Sequence, residues 1–580
     1  MSENAIGMAF GMLAIAGAWL VALASFAGLG LGLLRCLRLD RGGSENGFAS
    51  IWIGWALAVG VLKVWQLIFP VNVGARLLLV ALGAAGLGGN FRLLATELRP
   101  MLGRVIPFAV AAALLALWLA NRAMAAEMNS DVGLYHLPTG RWLSEYPVVP
   151  GLGNLNWRLA FNSSYFLYWA AMDFGPWAHR VHHVTVYFLL LVLGLQLGWG
   201  AYSIALGADR VRLQVLLRLV LVPAVARKMW AGIHEVEPDL AAWVLGVVIV
   251  DQLVRMVDDR HDGRPISTST ALVCVAAGAL VCVRLSAGLL GLAAMAVALW
   301  LQFGARDRSA AELREVRPVS VAVLLSGLLI GVWILRGCLL SGYPAFPLTL
   351  GGAKVEWRVP VSVAASEARW IMAWARQPGV PPEVVLNGWG WLRPWMQRLG
   401  SIGSFDIVAP LAIGAMSVLA ALARRRAWNA RDRGLGVVAL VPVLSLAFWF
   451  LTAPDPRFAG AAAWLLAGCG LLLAFGGTRS AGSPWAMRGI LVVAVAAAVA
   501  PHLTAPNHIS PGPEKGFYAL PRAKVEEVTL PSGLTYFRPL VDNQCWDAPL
   551  PCAPYPPIDL QLRQPGDIRR GFRVTTGESE

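Results

Sequence analysis

Long apolar runs recur along almost the whole chain, as "VSVAVLLSGLLIGVWIL" and "ILVVAVAAAVA" illustrate. Runs of about 20 such residues cross a hydrocarbon core of roughly 30 Å as helices, and within lipid only helices and closed barrels satisfy their own backbone groups. The chain has 580 residues, of which 57% are hydrophobic and 14% charged, with a mean hydropathy of +0.60. Soluble domains carry about a quarter charged residues. The sequence therefore specifies an all-α polytopic membrane protein with exoplasmic loops and a small C-terminal periplasmic segment.

Apolar windows predict about 14 transmembrane helices. They fall near 8–34, 50–69, 76–91, 105–126, 181–206, 212–230, 240–257, 268–283, 286–304, 318–338, 404–423, 434–453, 458–476 and 488–504. The pair flanking Arg284 reads as short or broken helices. The first run is too long for a signal peptide and lacks a small-residue cleavage site, so it is a retained span.

The net charge of +14 and pI near 9.9 invite a nucleic-acid reading. The basic residues instead collect in short loops such as "RCLRLDRGG", "GADRVR", "VRMVDDRHDGR" and "ARRRAWNARDR". These fall on one face of the span map, which the positive-inside rule makes cytoplasmic. Nucleic acid is excluded as a partner; membrane lipids are the expected surroundings. The map places the chain in a bacterial inner membrane, with 127–180, 339–403 and the tail 505–580 facing the periplasm. It divides the chain into additional N-terminal helices (1–104), a core (105–338), an exoplasmic region (339–403), C-terminal helices (404–504) and the tail.

Five cysteines lie in or beside apolar runs, whereas Cys545 and Cys552 stand in the polar tail segment "CWDAPLPC". No histidine or further cysteine follows them, so a disulfide loop in an oxidising compartment is favoured over zinc.

The polar segment "NSDVGLYHLPTGRWLSEYPVVPGLGNLNWRLAFNSS" holds the first candidate site. Asp131 follows an apolar run at the membrane boundary, where a partly desolvated carboxylate gains basicity and suits a general base. Tyr135, His136, Arg141, Asn154, Asn156, Arg158 and Asn162 follow among tryptophans and tyrosines. Sugars are held by such a mixture, rings on aromatic faces and hydroxyls on directed donors and acceptors. A second cluster, "HEVEPD", supplies His234, Glu235, Glu237 and Asp239. No cofactor is expected, and the alternative is a divalent cation held by that cluster with Asp131. Arg284, Arg336 and Arg457 sit at membrane depth, where ionisable groups mark function and guanidinium forks suit phosphate. "HRVHH" (His179, His182, His183) reads as a basic helix cap. There is no Walker loop, dinucleotide fingerprint, serine elbow or zinc-peptidase motif, so nucleotide-driven chemistry is unsupported.

The chain resembles the GT-C class of membrane glycosyltransferases, in which an acidic residue follows a span at the start of the first large exoplasmic loop. Asp131 matches that place if the first three spans precede the core. "PDLAA", "VRLSA", "LSGYPAFP", "EWRVP", "APDPRF" and "CWDAPLPCAPYP" look closer still to a sparsely characterised bacterial family of polytopic GT-C-like proteins. The resemblance implies Asp131 as catalytic base, Asp239 as a second acid of the site, and Arg284 and Arg457 as contacts to the donor phosphate, with Arg336 added on charge alone. It implies transfer of a sugar from a polyprenyl-phosphate donor to a periplasmic glycan, lipid or protein in cell-envelope polysaccharide biosynthesis. His234, Glu235 and Glu237 replace the small hydroxyl residues expected before Pro238, which implies a different donor or metal requirement. The competing readings are a polymerase or ligase of lipid-linked glycans and a flippase for lipid-linked saccharides.

Overall fold

The computed structural model describes residues 3–39, 44–98, 102–124, 131–177, 182–206, 212–230, 238–304, 310–423, 428–475 and 521–575, with four isolated positions between 489 and 496. The last expected span, 488–504, lies outside that set apart from those positions, as do His179 and residues 231–237.

The apolar runs are helices: α1 (Glu3–Cys36), α2 (Ser44–Gln66), α3 (Val73–Leu98) and α4 (Leu102–Ala123) come first. Short helices α5 (Leu137–Glu145), α6 (Leu152–Leu155) and α7 (Tyr165–Ala171) build the polar loop. The bundle resumes with α8 (His182–Ala205), α9 (Leu213–Trp230), α10 (Pro238–His261), α11 (Ser267–Val283), α12 (Gly288–Phe303) and α13 (Ala310–Ser341). A second loop region carries α14 (Val361–Arg376), α15 (Pro382–Val385) and α16 (Leu392–Ile402), before α17 (Ala409–Ala423), α18 (Ala430–Thr452) and α19 (Ala462–Phe475).

Ten helices among the described residues are long and apolar enough to cross a bilayer, which makes the chain a polytopic helical membrane protein. Three expected spans fall short of that standard. Helices α11 and α19 are short, and α9 is interrupted by Arg218, Pro223, Arg227 and Lys228. The break at Arg284 is real: its backbone is extended between α11 and a 3-10 turn over Leu285–Ala287. The carbonyls freed at the end of α11 are taken by the polar loop, Cys282 by the Ser164 N–H (2.9 Å) and Val283 by the Ser163 hydroxyl (2.7 Å). Helix ends buried without such partners are costly.

The helices expected as an N-terminal addition are packed into the bundle, α1 against α4 and α8, and α2 against α11. Close packing rests on small residues, as is usual in membranes. A Cβ at Gly28 would lie 1.9 Å from the Gly83 carbonyl oxygen, so α1 and α3 touch backbone to backbone there.

The two ends of the bundle differ. At one end the polar loop grips helix termini: the Val148 N–H donates to Gln66 at the end of α2 (2.8 Å), and Gly151 to Leu339 near the end of α13 (2.8 Å). Arg376 donates to the last carbonyls of α18, Leu451 (3.0 Å) and Thr452 (2.9 Å). The other end joins α1 to α11 through Thr268 and the Leu39 carbonyl (3.0 Å), and ties Arg212 to Asp259 (2.9 Å) and Arg431 to Asp258 (3.1 Å).

The tail departs from an all-helical reading. It forms two antiparallel pairs, β1 (Val525–Thr529) with β2 (Thr535–Pro539) and β3 (Leu560–Leu562) with β4 (Phe572–Val574). Cys545 and Cys552 are joined in a disulfide. Trp142, Leu152, Leu159, Leu340, Leu560 and Phe572 share one apolar core, so tail, polar loop and α13 pack as a unit. Glu356 adds ion pairs to Arg563 (2.7 Å) and Arg573 (3.0 Å).

A buried charge set holds α2, α8, α9 and α10 together. Arg218, 1% exposed, donates from Nε and Nη2 to Asp251 (2.8 and 2.9 Å) and from Nη1 and Nη2 to Glu45 (both 2.7 Å). Gln196 and Gln214 each donate to Asp251 at 2.9 Å. Arg218→Leu leaves a buried carboxylate uncompensated and should cost about 3–5 kcal/mol. Thermal unfolding in detergent would show it as a large fall in melting temperature, partly recovered when Asp251→Leu is added.

Candidate active site

Asp131 opens a π-helical turn, Val132–His136, that runs directly into α5. Pro238 starts α10 in the first-turn position that proline favours, with Asp239 beside it. The break after α11 presents Arg284, and the "APDPRF" turn between α18 and α19 presents Asp455, Arg457 and Phe458. These four segments converge at the loop-covered end of the bundle.

Arg284 Nε meets the Asp239 carboxylate at 2.7 Å. Both Arg284 and Arg457 lie over the Phe458 ring, at 4.8 and 5.7 Å from its centroid. Asp131 and Asp455 bear electrostatically on Asp239, as do both arginines. The turn itself is firmly held. Asp455 accepts from the Arg457 N–H (3.0 Å), pairs with Arg398 (3.5 Å), and its carbonyl accepts from the Trp449 indole (2.7 Å). Two guanidiniums against one aromatic ring, with carboxylates at the margin, can receive an anionic group while leaving a carboxylate to take a proton.

His136 faces the same arginines. It is 3% exposed, and its Nδ1 has no hydrogen-bond partner among the described residues. Burial, reinforced by Arg284 and Arg457, pushes its pKa from the ordinary 6.5 down to about 3. A neutral imidazole in that position is a poor proton acceptor near pH 7 and a competent hydrogen-bonding partner.

The other candidates take different places. Arg141 is a clamp on the tail, bonded to Glu145 (2.5 Å) and to the carbonyls of Asp547 (2.7 Å) and Ala548 (2.6 Å). Asn154 donates to the Trp357 carbonyl (2.9 Å), and Asn156 caps the next turn through the Arg158 N–H (3.1 Å). Asn162 adopts a positive φ of 54°, donates to the Trp333 carbonyl (2.8 Å) and accepts from Arg336. Arg336 is buried and also bonded to Gln66 (2.9 Å), so its guanidinium is committed to protein groups rather than turned to a ligand. Tyr135 packs edge-on against His136 and Phe161. Arg158 stays at a cavity wall. His234, Glu235 and Glu237 lie outside the described residues, and no group of His, Cys, Asp and Glu suited to a metal occurs among those described.

Asp455 and Phe458 were not singled out from sequence, although they flank Arg457 in the same hexapeptide. An aspartate two residues before the arginine, across a proline, is an Asx-type turn signal that points the arginine.

Among known proteins, a family model described as a domain of unknown function (DUF8201) matches residues 12–464, and the chain belongs to that family. The match takes in the N-terminal helices and stops before the tail. No curated protein and no solved structure matches the chain.

Because His136 binds its proton more weakly folded than unfolded, its contribution to stability is complete above about pH 6.5 and is lost as pH falls toward 3. The slope approaches about 1.4 kcal/mol per pH unit in that window. Melting temperatures recorded from pH 7.5 to 4.5 should fall less steeply for His136→Gln than for the unaltered protein; identical profiles would refute the assignment.

Proposed function

We propose that this member of the DUF8201 family is a membrane glycosyltransferase that moves a sugar from a polyprenyl-phosphate donor to a hydroxyl of a periplasmic glycan, lipid or protein. The observation that carries the reading is the pairing of Arg284 and Arg457 over Phe458, with Asp131 and Asp239 in the same electrostatic neighbourhood. In this reading Asp131 removes the proton of the acceptor hydroxyl. The acceptor oxygen bonds to the anomeric carbon from the face opposite the phosphate, and the bond from that carbon to the phosphate oxygen breaks. Its electron pair stays on the phosphate, whose charge the two arginines neutralise. Asp239 orients Arg284 and balances its charge between turnovers.

The disulfide in the tail, and Arg212, Arg264 and Arg431 among the described residues at the other end, favour a periplasmic site in the bacterial inner membrane. The resemblance to GT-C proteins adds to the same reading. A flippase is less well supported, because the polar groups buried away from this end bond to one another, as around Arg218.

Asp131→Asn should reduce transfer at least about 100-fold with unchanged expression and melting, scored as surface glycan restored to a deletion strain. Full restoration would remove Asp131 from the base role. Arg284→Ala should raise the donor concentration for half-maximal rate far more than that of the acceptor. For sidedness, Leu350→Cys places a thiol on an exposed loop. A membrane-impermeant maleimide should label it from the periplasm, and labelling from the cytoplasm alone would invert the topology.

A further inference from the structure

Between the polar loop and the tail is a cavity that the proposed transfer chemistry does not use. It has a volume of about 320 Å³ and two walls of different origin. Leu134, Trp157 and Arg158 come from the polar loop, whereas Asn543, Gln544 and Tyr555 come from the tail. Leu134 lies in the same π-helical turn that begins at Asp131 and ends at His136. The cavity wall and the carboxylate assigned as base thus share one turn of backbone.

Its size and chemistry select a ligand class. At roughly 30 Å³ per water the volume holds about ten waters, which is close to the dozen heavy atoms of one hexose. It stands at the small end of ligand sites, roughly 300–1,000 Å³. Two aromatic side chains offer ring faces for the C–H face of a sugar, while an amide pair and a guanidinium offer donors and acceptors for hydroxyls. Tyr555 is 61% exposed, and its hydroxyl donates to Asn543 Oδ1 at 2.6 Å. That bond fixes the amide so that its N–H donors remain for a ligand. A lipid chain would find too many polar groups here.

The tail wall is held in a costly shape. Asp542, Asn543 and Trp546 have positive φ angles of 50°, 60° and 43° within five positions. Each non-glycine residue in that region costs on the order of 1 kcal/mol. The Cys545–Cys552 disulfide and the bond from the Trp546 N–H to the Gly133 carbonyl (2.9 Å) hold it there. Gly133 is required at this seam, since a Cβ would lie 2.5 Å from the Trp546 ring.

We propose that this cavity is the acceptor subsite and binds one saccharide unit of the acceptor glycan, with the tail as the element that selects it. The assignment deepens the glycosyltransferase reading and rests on it for the word acceptor; saccharide binding itself does not. Full-length protein in lipid nanodiscs should retain particular members of an array of bacterial surface oligosaccharides. For the best-retained oligosaccharide, calorimetry should show at least a tenfold weaker Kd for Tyr555→Ala and for Gln544→Ala. Neither Tyr555 nor Gln544 is buried, so both variants keep the fold. Retention of no oligosaccharide, or unchanged binding in both tail variants, would overturn the proposal. Binding that survives alongside a fully active Asp131→Asn would refute the transfer chemistry and leave the subsite standing. Lost transfer in Asp131→Asn without any oligosaccharide binding would do the reverse.

Discussion

Hydrocarbon tolerates no unanswered polar group, and that constraint arranges nearly everything described above. Among the described residues, the most deeply buried cations of the bundle are met by protein. Arg218 is shared between Asp251 and Glu45, Lys63 donates to the Leu329 carbonyl at 2.7 Å, and Arg336 is spent on Gln66 and Asn162. Such sets are weak sources of net stability and strong penalties when broken, so they act as registration pins between helices. Asp131, Asp239, Arg284 and Arg457, the groups of the proposed site, all stand at helix ends or breaks.

Helix breaks therefore matter more than helices for the site. The interruption at Arg284 works because the polar loop supplies the hydrogen bonds that α11 forgoes, through Ser163 and Ser164. The "APDPRF" turn works because Asp455 bonds to its own backbone and to Arg398. In each case a short polar segment stabilises an irregular backbone and at the same time aims an arginine. The loop that closes the break at Arg284 also carries Asp131 and His136, so that support and the proposed base come from one stretch of chain.

Much of this was legible in the sequence for a physical reason. Apolar length is a one-dimensional property, so most spans could be read directly, as could the break at Arg284. Helix α9 was harder, because Arg218 is an internal pin whose partners Glu45 and Asp251 are 173 and 33 residues away. The same blindness affects the loop. Arg141, Asn154 and Asn162 have the composition of a sugar site, but their partners are backbone carbonyls in the tail, in the 339–403 region and in α13. Composition cannot tell a side chain that faces a ligand from one that faces a distant carbonyl. The strands of the tail, three to five residues long, are too short to show a period-two pattern.

The union of loop and tail has a consequence for how the protein is made. Arg141 waits for Asp547, 406 residues further along the chain. At the usual 5–20 residues per second of synthesis, that interval is roughly 20–80 s. During it Trp142, Leu152 and Leu159 lack the apolar surface of Leu560 and Phe572 that later covers them. The loop is thus born sticky and finished last, which makes the newly inserted chain a natural client for chaperones on the side of the membrane where its tail emerges.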